Sequence, residues 1–358
     1  MNEFLTLGRR ILPEAMSLLQ RRFDILSTLA GDELLGRRQL AAKTGYSERI
    51  VRQEVDFLNR ENLLDILPRG IRLTKEGQET LNHLRLWLHE LLELEDLSEK
   101  VRQRCAFEDV LIVPGDADED EKTLSEIGRL AARELFSCLR TDSVVALTGG
   151  NSIKAMVEAA PRRKEWPGVT IVPARGGVGP RYNIQSNTLA GRLADALGAV
   201  GRILNLPDSI SEKALNAMLR EAEVAQTVRL IRRADIVVAG VGDAITMARR
   251  RGLTEEGIEE LKKAGALGEF FGCYYDAKGC IVSQSASVGL SLEDVARARK
   301  VLVLAGGAKK ARALCAVDFH RLGATLITDE GAARAIANLP SGNATYTQTK
   351  PQGEIQEE

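Results

Sequence analysis

Histidine and cysteine are scarce in this chain, and their placement removes several chemistries at the outset. The three histidines, His83, His89 and His320, are too few and too scattered for a histidine-based metal site. The five cysteines, Cys105, Cys138, Cys273, Cys280 and Cys315, are odd in number and form no C-x-x-C pair. Buried reduced thiols are therefore expected, rather than a disulfide framework or a zinc site. No apolar run approaches the ~20 residues of a membrane span, and the opening MNEFLTLGRR has no signal-peptide core. The expectation is a cytosolic protein with no membrane partner, no metal and no cofactor. The net charge of −1 excludes a uniformly basic coat for nucleic acid.

What is present is the composition of a globular protein, 44% hydrophobic and 28% charged, in a chain of 358 residues that calls for two or three domains. Charge is unevenly spread. Residues 1–75 hold 13 Lys and Arg against 10 Asp and Glu, a net +3 that leaves −4 for the remainder. A basic head on an acidic body points to a head that faces DNA. The organisation expected is a head over 1–75, a linker helix over 76–104, an α/β body over 105–340 and a disordered polar tail over 341–358. In the linker, Leu81, Leu84, Leu88 and Leu91 recur at steps of three and four and form one stripe, suited either to packing on a neighbouring domain or to a dimer seam.

The head reads as a winged helix-turn-helix. Arg37 to Lys43 makes a short helix with Leu40 and Ala41 inward. Thr44-Gly45-Tyr46 is a tight turn in which Gly45 supplies left-handed backbone, and Ser47 caps the next helix. There Val51, Val55 and Leu58 fall on one buried face, while Ser47, Arg49, Arg52 and Gln53 project elsewhere, toward base edges and phosphates. DILPRGIRLT then reads as a hairpin wing with Pro68, Arg69 and Gly70 at its tip, where Arg69 and Arg72 would touch the DNA backbone. Arg37 and Arg38, which open the first of these helices, complete the candidate DNA-facing set.

In the body, short apolar runs at 110–113, 144–150, 169–177, 235–242, 301–307 and 324–333 alternate with helical stretches. Continuous apolar strands separated by helices describe a doubly wound, mostly parallel sheet covered on both faces, with its ligand beyond the carboxyl ends of the strands. Several runs end in glycine-rich turns. Thr148-Gly149-Gly150-Asn151-Ser152 precedes a helix and could cradle an anion. Ala305-Gly306-Gly307-Ala308-Lys309-Lys310 is the same device with an ammonium added, and Pro173-Ala174-Arg175-Gly176-Gly177 places a guanidinium at a third strand end. Three such turns in one sheet, two with cations, indicate a phosphorylated ligand. The pattern G-x-x-x-x-G-K-[ST] is absent, and VVAGVGD lacks the third glycine of a dinucleotide fingerprint, since Ile245 stands there.

Together these segments resemble the SorC-type family of sugar-responsive repressors, most specifically in GRRQLAAKTGYSERIVRQEVDFL, VALTGGNSI, VPARGGVG, QSNT, GVGDAITMARRR and LAGGAKKARA. The resemblance implies a repressor of a glycolytic operon that binds operator DNA as a dimer or tetramer. It implies fructose-1,6-bisphosphate as inducer and a body fold like that of sugar-phosphate isomerases. It places Gly149, Gly150, Asn151 and Ser152 in one phosphate loop. Arg175 and Gly177 would clamp the ligand, and Gln185 would contact it. Arg250 would reach a second phosphate or a sugar oxygen, Glu269 would accept sugar hydroxyls, and Lys309 would bind phosphate at the last loop. Asn151 departs from the family, whose members often carry Thr there.

The alternative is a sugar-phosphate isomerase or deaminase with an appended helical head, because the body fold serves both. Related deaminases carry G-x-G-x-D-G-H with a working histidine. Here the segment is Gly240-Val241-Gly242-Asp243-Ala244-Ile245, so an aspartate remains but the Gly-His does not. Proton transfer between carbons needs a positioned acid and base. The reading is therefore a regulator, not an enzyme, with no catalytic residues.

Overall fold

The computed structural model describes residues 13–340 apart from 32–33, 92–93, 162–164, 209, 211 and 286–287. The chain divides into two compact units, Met1–Asp96 and Leu97–Glu358.

The first unit begins with α1 (Pro13–Leu29), α2 (Arg37–Thr44) and α3 (Glu48–Arg60), continues through strands β1 (Leu64–Leu67) and β2 (Gly70–Leu73), and ends in α4 (Lys75–Leu91). Gly45 closes α2 at φ 75°, donating its N–H to Ala41, and the Ser47 hydroxyl accepts from the Ile50 N–H to open α3. The strands pair antiparallel across the two-residue turn Pro68–Arg69, and Leu35 bridges Ile71 on the outer side. Ile25, Leu26, Leu40, Val51, Val55, Leu58, Leu64, Ile71 and Leu81 form one buried core, as the spacing of the apolar residues required. Beside it, Arg22 pairs with buried Glu54 at 2.9 Å while its guanidinium stacks 3.6 Å from the centre of the Phe57 ring. Two helices occupy the expected linker, α4 and then α5 (Leu94–Cys105). Leu81 is buried and Leu84 half-buried; the side chains of Leu88 and Leu91, and the tail 341–358, lie outside the described residues.

In the second unit the elements after α5 are β3 (Asp109–Val113), α6 (Glu121–Cys138), β4 (Val144–Leu147), α7 (Asn151–Ala159), β5 (Thr170–Pro173), α8 (Ser186–Leu197) and β6 (Val200–Gly201). There follow α9 (Glu212–Met218), α10 (Ala222–Ile231), β7 (Ile236–Gly240), β8 (Gly242–Asp243), α11 (Ala244–Arg250), α12 (Glu255–Lys263), β9 (Gly268–Phe270), β10 (Cys273–Tyr275) and β11 (Ile281–Gln284). The unit closes with α13 (Leu292–Arg297), β12 (Lys300–Leu304), α14 (Ala311–Ala316), β13 (Ala324–Asp329) and α15 (Glu330–Ala337).

Seven strands form a parallel sheet in the order β3-β13-β12-β7-β4-β5-β6. Six of them coincide with the apolar runs of the sequence. The seventh, β6, is two exposed residues long and carries no apolar run to reveal it. Alternate strand residues Val145, Leu147, Ile171, Val238, Leu302 and Ile327 pack with Ile127, Leu135, Ile153, Met156, Leu189 and Leu193 of α6, α7 and α8. The intervening residues Ala146, Val172, Val237 and Val303 are buried as well, so both faces are covered. From β4 the chain runs outward to β5 and β6, then returns to β7 on the other side of β4 and proceeds to β12 and β13. The strand order therefore reverses between β4 and β7, and the loops leaving them diverge to open a crevice. A second, antiparallel sheet, β11-β10-β9-β8, has no counterpart in the sequence reading and carries Glu269.

One expectation is corrected. Cys105 and Cys315 are joined, with Cα atoms 4.8 Å apart across 210 residues, tying α5 to α14. An odd cysteine count said nothing of this pair, because only the packed fold brings these positions together. Cys138, Cys273 and Cys280 are free thiols. No helix among the described residues is long and apolar enough to cross a membrane.

Helices α6 and α7 cross at Gly128, where an added Cβ would stand 2.5 Å from the Ala155 carbonyl. Gly128→Ala should destabilise the body by about 1–3 kcal/mol through overpacking. Gly191→Ala, in α8 with open space around it, should be neutral or stabilising by up to ~1 kcal/mol from helix propensity. Equal urea midpoints for the two variants would show that the helices do not touch at Gly128.

Candidate ligand cleft and DNA-binding face

A cleft of ≈ 370 Å³ opens at the crevice between β4 and β7. Its wall at β4 is Thr148 to Ile153. The Thr148 hydroxyl accepts from the Gly240 N–H at 3.1 Å and so holds the loops after β4 and β7 together. Gly149 lies against the Ile184 carbonyl, where a Cβ would sit at 2.5 Å, and Gly150 adopts φ 125° to begin α7. The Gly150 N–H is bonded to Ile184, and Gly150 in turn accepts from Lys154. The intervening N–H groups of Asn151, Ser152 and Ile153 are first-turn donors with no intrahelical acceptor. Donors in this position suit an anion.

The floor is a buried quartet of charges. Arg175 donates to Asp208 through Nε at 3.2 Å and Nη2 at 2.8 Å, and to Glu269 through Nη1 at 3.1 Å. Arg251 bridges the same two carboxylates, each at 2.7 Å, and its side chain is 0% exposed. Glu269 Oε1 also takes the Gly272 N–H at 2.6 Å. Phe271 at φ 49° and Gly272 at φ 84° make the left-handed turn that presents this amide. Glu269 Oε1 thus receives all three donors, and Oε2 receives none of them.

Cations ring the mouth. Arg181, Arg250 and Lys310 all line the cleft. Burial, then the neighbouring Arg181, pushes Arg250 below the ordinary guanidinium value. Burial, then Arg250, lowers Lys310, whose ammonium donates to the Val241 carbonyl at 3.1 Å. An anion between these groups would relieve both effects.

Gly149, Gly150, Asn151, Ser152, Arg175, Gln185, Arg250 and Glu269 meet at this cleft. Gln185 does so as a brace: its amide donates to Val178 and Gly179 and accepts from Val178, fixing the loop beyond β5. Two expected residues are not among the lining. Gly177 exchanges backbone hydrogen bonds with Leu206 and Asp208 instead. Lys309 has an 85% exposed side chain paired with Asp118 at 3.8 Å, and the ammonium at the cleft belongs to Lys310. Of the three consecutive arginines, Arg251 lies in the buried quartet, Arg250 lines the mouth, and Arg249 is exposed. Sequence reasoning also missed Asp208 and Arg181; neither sits in a motif.

The glycine turn after β12 differs from the expectation. The Gly307 N–H is bonded to Asp329 at 2.7 Å, Ala308 to Asp116 at 3.4 Å and Lys309 to Asp118 at 3.0 Å. The chain's own carboxylates occupy this turn. The aspartate left from the deaminase-like motif, Asp243, caps α11 by accepting from the Thr246 N–H and hydroxyl at 2.8 and 2.7 Å. No histidine lines the cleft, and no group of side chains among the described residues is arranged to hold a metal ion.

In the first unit Ser47, Arg49, Arg52, Gln53 and Arg69 are exposed, off the face that buries Val51, Val55 and Leu58. Arg49, Arg52 and Arg69 have no ion pair among the described residues. Arg37 pairs with Asp56 at 2.9 Å, Arg38 with Glu48 at 3.5 Å and Arg72 with Asp65 at 2.9 Å. These three are held in place on the surface and would exchange partners to meet phosphate.

Comparison with known proteins agrees with both units. Residues 89–338 match a sugar-binding domain family, and residues 18–88 match the CggR N-terminal DNA binding domain. The central glycolytic genes regulator of Priestia megaterium is 35% identical over 341 residues, covering 94% of this chain and 98% of that one. The regulator of the same name from Bacillus subtilis is 34% identical over 336 residues, covering 94% and 99%. A SorC family transcriptional regulator from Enterococcus faecalis superimposes with a TM-score of 0.62 at 30% identity, over 67% of this chain and 99% of that one. The full-length sorbitol operon regulator of Klebsiella pneumoniae, 16% identical, shares the fold at a TM-score of 0.60 over 90% of this chain and 99% of its own.

Removing Arg251 would leave Asp208 and Glu269 with one guanidinium between them. Arg251→Met should cost about 3–5 kcal/mol in urea unfolding of the body. A loss below ~1 kcal/mol would mean that water, not Arg251, compensates these carboxylates.

Proposed function

The chain belongs to the SorC-type family of sugar-responsive transcription regulators, and from that premise we propose that it is a repressor of a glycolytic operon whose inducer is fructose-1,6-bisphosphate. The observation that carries the ligand class is the pairing of an open glycine loop at Gly150–Ile153 with the cations Arg181, Arg250 and Lys310 across one cleft. A loop of free amides suits one phosphate, and a separate group of cations suits a second. Glu269 Oε2, beside the cleft, is the acceptor for sugar hydroxyls, and Gln185 keeps the loop beyond β5 in register with it. The cleft holds no histidine, and its remaining motif aspartate is a helix cap, so the arrangement favours binding over proton transfer.

On the DNA side, Arg49, Arg52 and Gln53 of α3 read base edges in the major groove, with Arg69 on the wing at the backbone. The protein acts as a homo-oligomer in the cytoplasm. Ligand alters operator affinity only by as much as it binds the free and DNA-bound forms differently.

Titration of fructose-1,6-bisphosphate against a labelled operator complex tests the regulatory reading. Saturating sugar should weaken the complex or change its stoichiometry, and the bisphosphate should bind tighter than fructose-6-phosphate by calorimetry. Calorimetric binding with an unaltered DNA complex would show that the cleft does not gate DNA. Arg49→Ala with Arg52→Ala should abolish specific binding, at ~1–3 kcal/mol per lost base contact, with ligand affinity retained. Full operator affinity in that double variant would remove α3 from the major groove.

A further inference from the structure

The body has two glycine turns of similar sequence, after the strands β4 and β12 that flank β7, and they are in opposite states. After β4, Asn151, Ser152 and Ile153 line the cleft, and their amides have no acceptor within their helix. After β12, the amides of Gly307, Ala308 and Lys309 are each bonded to a carboxylate of this chain. Two of those carboxylates are fixtures. Buried Asp329 also caps α15 through the Ala332 N–H and holds the Ala117 N–H, both at 2.8 Å. Asp116 braces its own loop by accepting the Asp118 N–H at 2.8 Å.

Asp118 is different. Its side chain is 28% exposed, lines the cleft and, among the described residues, takes the Lys309 N–H at 3.0 Å and the Lys309 ammonium at 3.8 Å. Gly307, at φ 94°, makes room for it, because a Cβ there would lie 2.6 Å from the Asp118 carboxyl carbon. Glycine at this position therefore admits a carboxylate against the turn. The negative charge of Asp118 is felt at the cleft's lysine: burial and then Arg250 lower Lys310, and Asp243 followed by Asp118 act to raise it.

We propose that Asp118 is a specificity-determining residue: its carboxylate holds the anion position of the second glycine turn and keeps ligand phosphate away from that end of the cleft. A phosphorylated ligand is then admitted in one orientation, with one phosphate on the Gly150 loop and any second anionic group beside Arg181 and Arg250. The inference deepens the phosphosugar reading and rests on it for its biological meaning, but the anion probe below tests it without a sugar.

Inorganic phosphate, fructose-6-phosphate and fructose-1,6-bisphosphate are each titrated into the full chain and into Asp118→Asn by calorimetry. The amide keeps an acceptor for the Lys309 N–H while removing the charge. Asp118→Ser, whose hydroxyl can do the same, serves if the first variant does not fold. Inorganic phosphate should bind the variant about tenfold more tightly than the wild type, and the gain should shrink as salt is added. Glu119→Gln, the same charge change at an exposed neighbour outside the cleft lining, should stay within about twofold of wild type. Equal or weaker phosphate binding in both position-118 variants, or no phosphate binding to any of the proteins, overturns the role given to Asp118. A gain for phosphate together with no binding of either sugar to the wild type supports that role and removes the phosphosugar reading instead.

Discussion

Four buried charges on the cleft floor, Arg175, Arg251, Asp208 and Glu269, constrain the body more than any other feature. An isolated ion in such a place is too costly to keep, and two of each sign remain only if every one is matched. The matching fixes where their loops can go. Arg175 follows β5, Asp208 lies in the stretch after β6, Arg251 follows α11, and Glu269 sits on the small antiparallel sheet. The left-handed turn at Phe271–Gly272 is held against its backbone preference by the bond from Gly272 to Glu269. One network thus joins four separate stretches of chain and gives the cleft a preformed floor, so that little ordering is left for a ligand to impose.

Above this floor, geometry separates the binding roles of similar sequences. Two glycine turns follow the strands on either side of β7, and both read as anion cradles. One keeps its amides open, and the other is filled by aspartates from the loop after β3 and the end of β13. Carboxylates are themselves anions, so a turn that can bind phosphate can equally be closed by the protein's own side chains. The cation supply differs as well: Lys309 stays exposed beside Asp118, and Lys310 is the ammonium of the cleft.

A fold alone does not fix a function, which lies in a handful of side chains. In this cleft the motif aspartate is consumed in capping a helix, and the ionisable groups that remain are Arg175, Arg251 and Glu269 of the buried quartet, the cations Arg181, Arg250 and Lys310, and Asp118. Such groups bind and orient an anionic ligand. The first unit supplies the complementary part, with exposed arginines that lie off its packed face.

Periodicity and turn chemistry by themselves determined much of this protein. Continuous apolar runs gave six of the seven parallel strands, helical spacing gave the core of the head, and Gly45, Ser47 and the Pro68–Arg69 turn marked the boundaries of its elements. These are local properties, set by backbone preference and by which side chains share a face. The resemblance to SorC-type regulators rested on the same local stretches. Tertiary structure alone decided which cysteines meet, that β8 to β11 form a second sheet, that Asp208 and Arg251 complete the charge quartet, and that Lys310 rather than Lys309 reaches the cleft. Each of these depends on contacts between residues tens to hundreds of positions apart. A one-residue choice between neighbouring lysines or arginines is settled by the direction each side chain takes and by the partner it finds, and no periodicity encodes that.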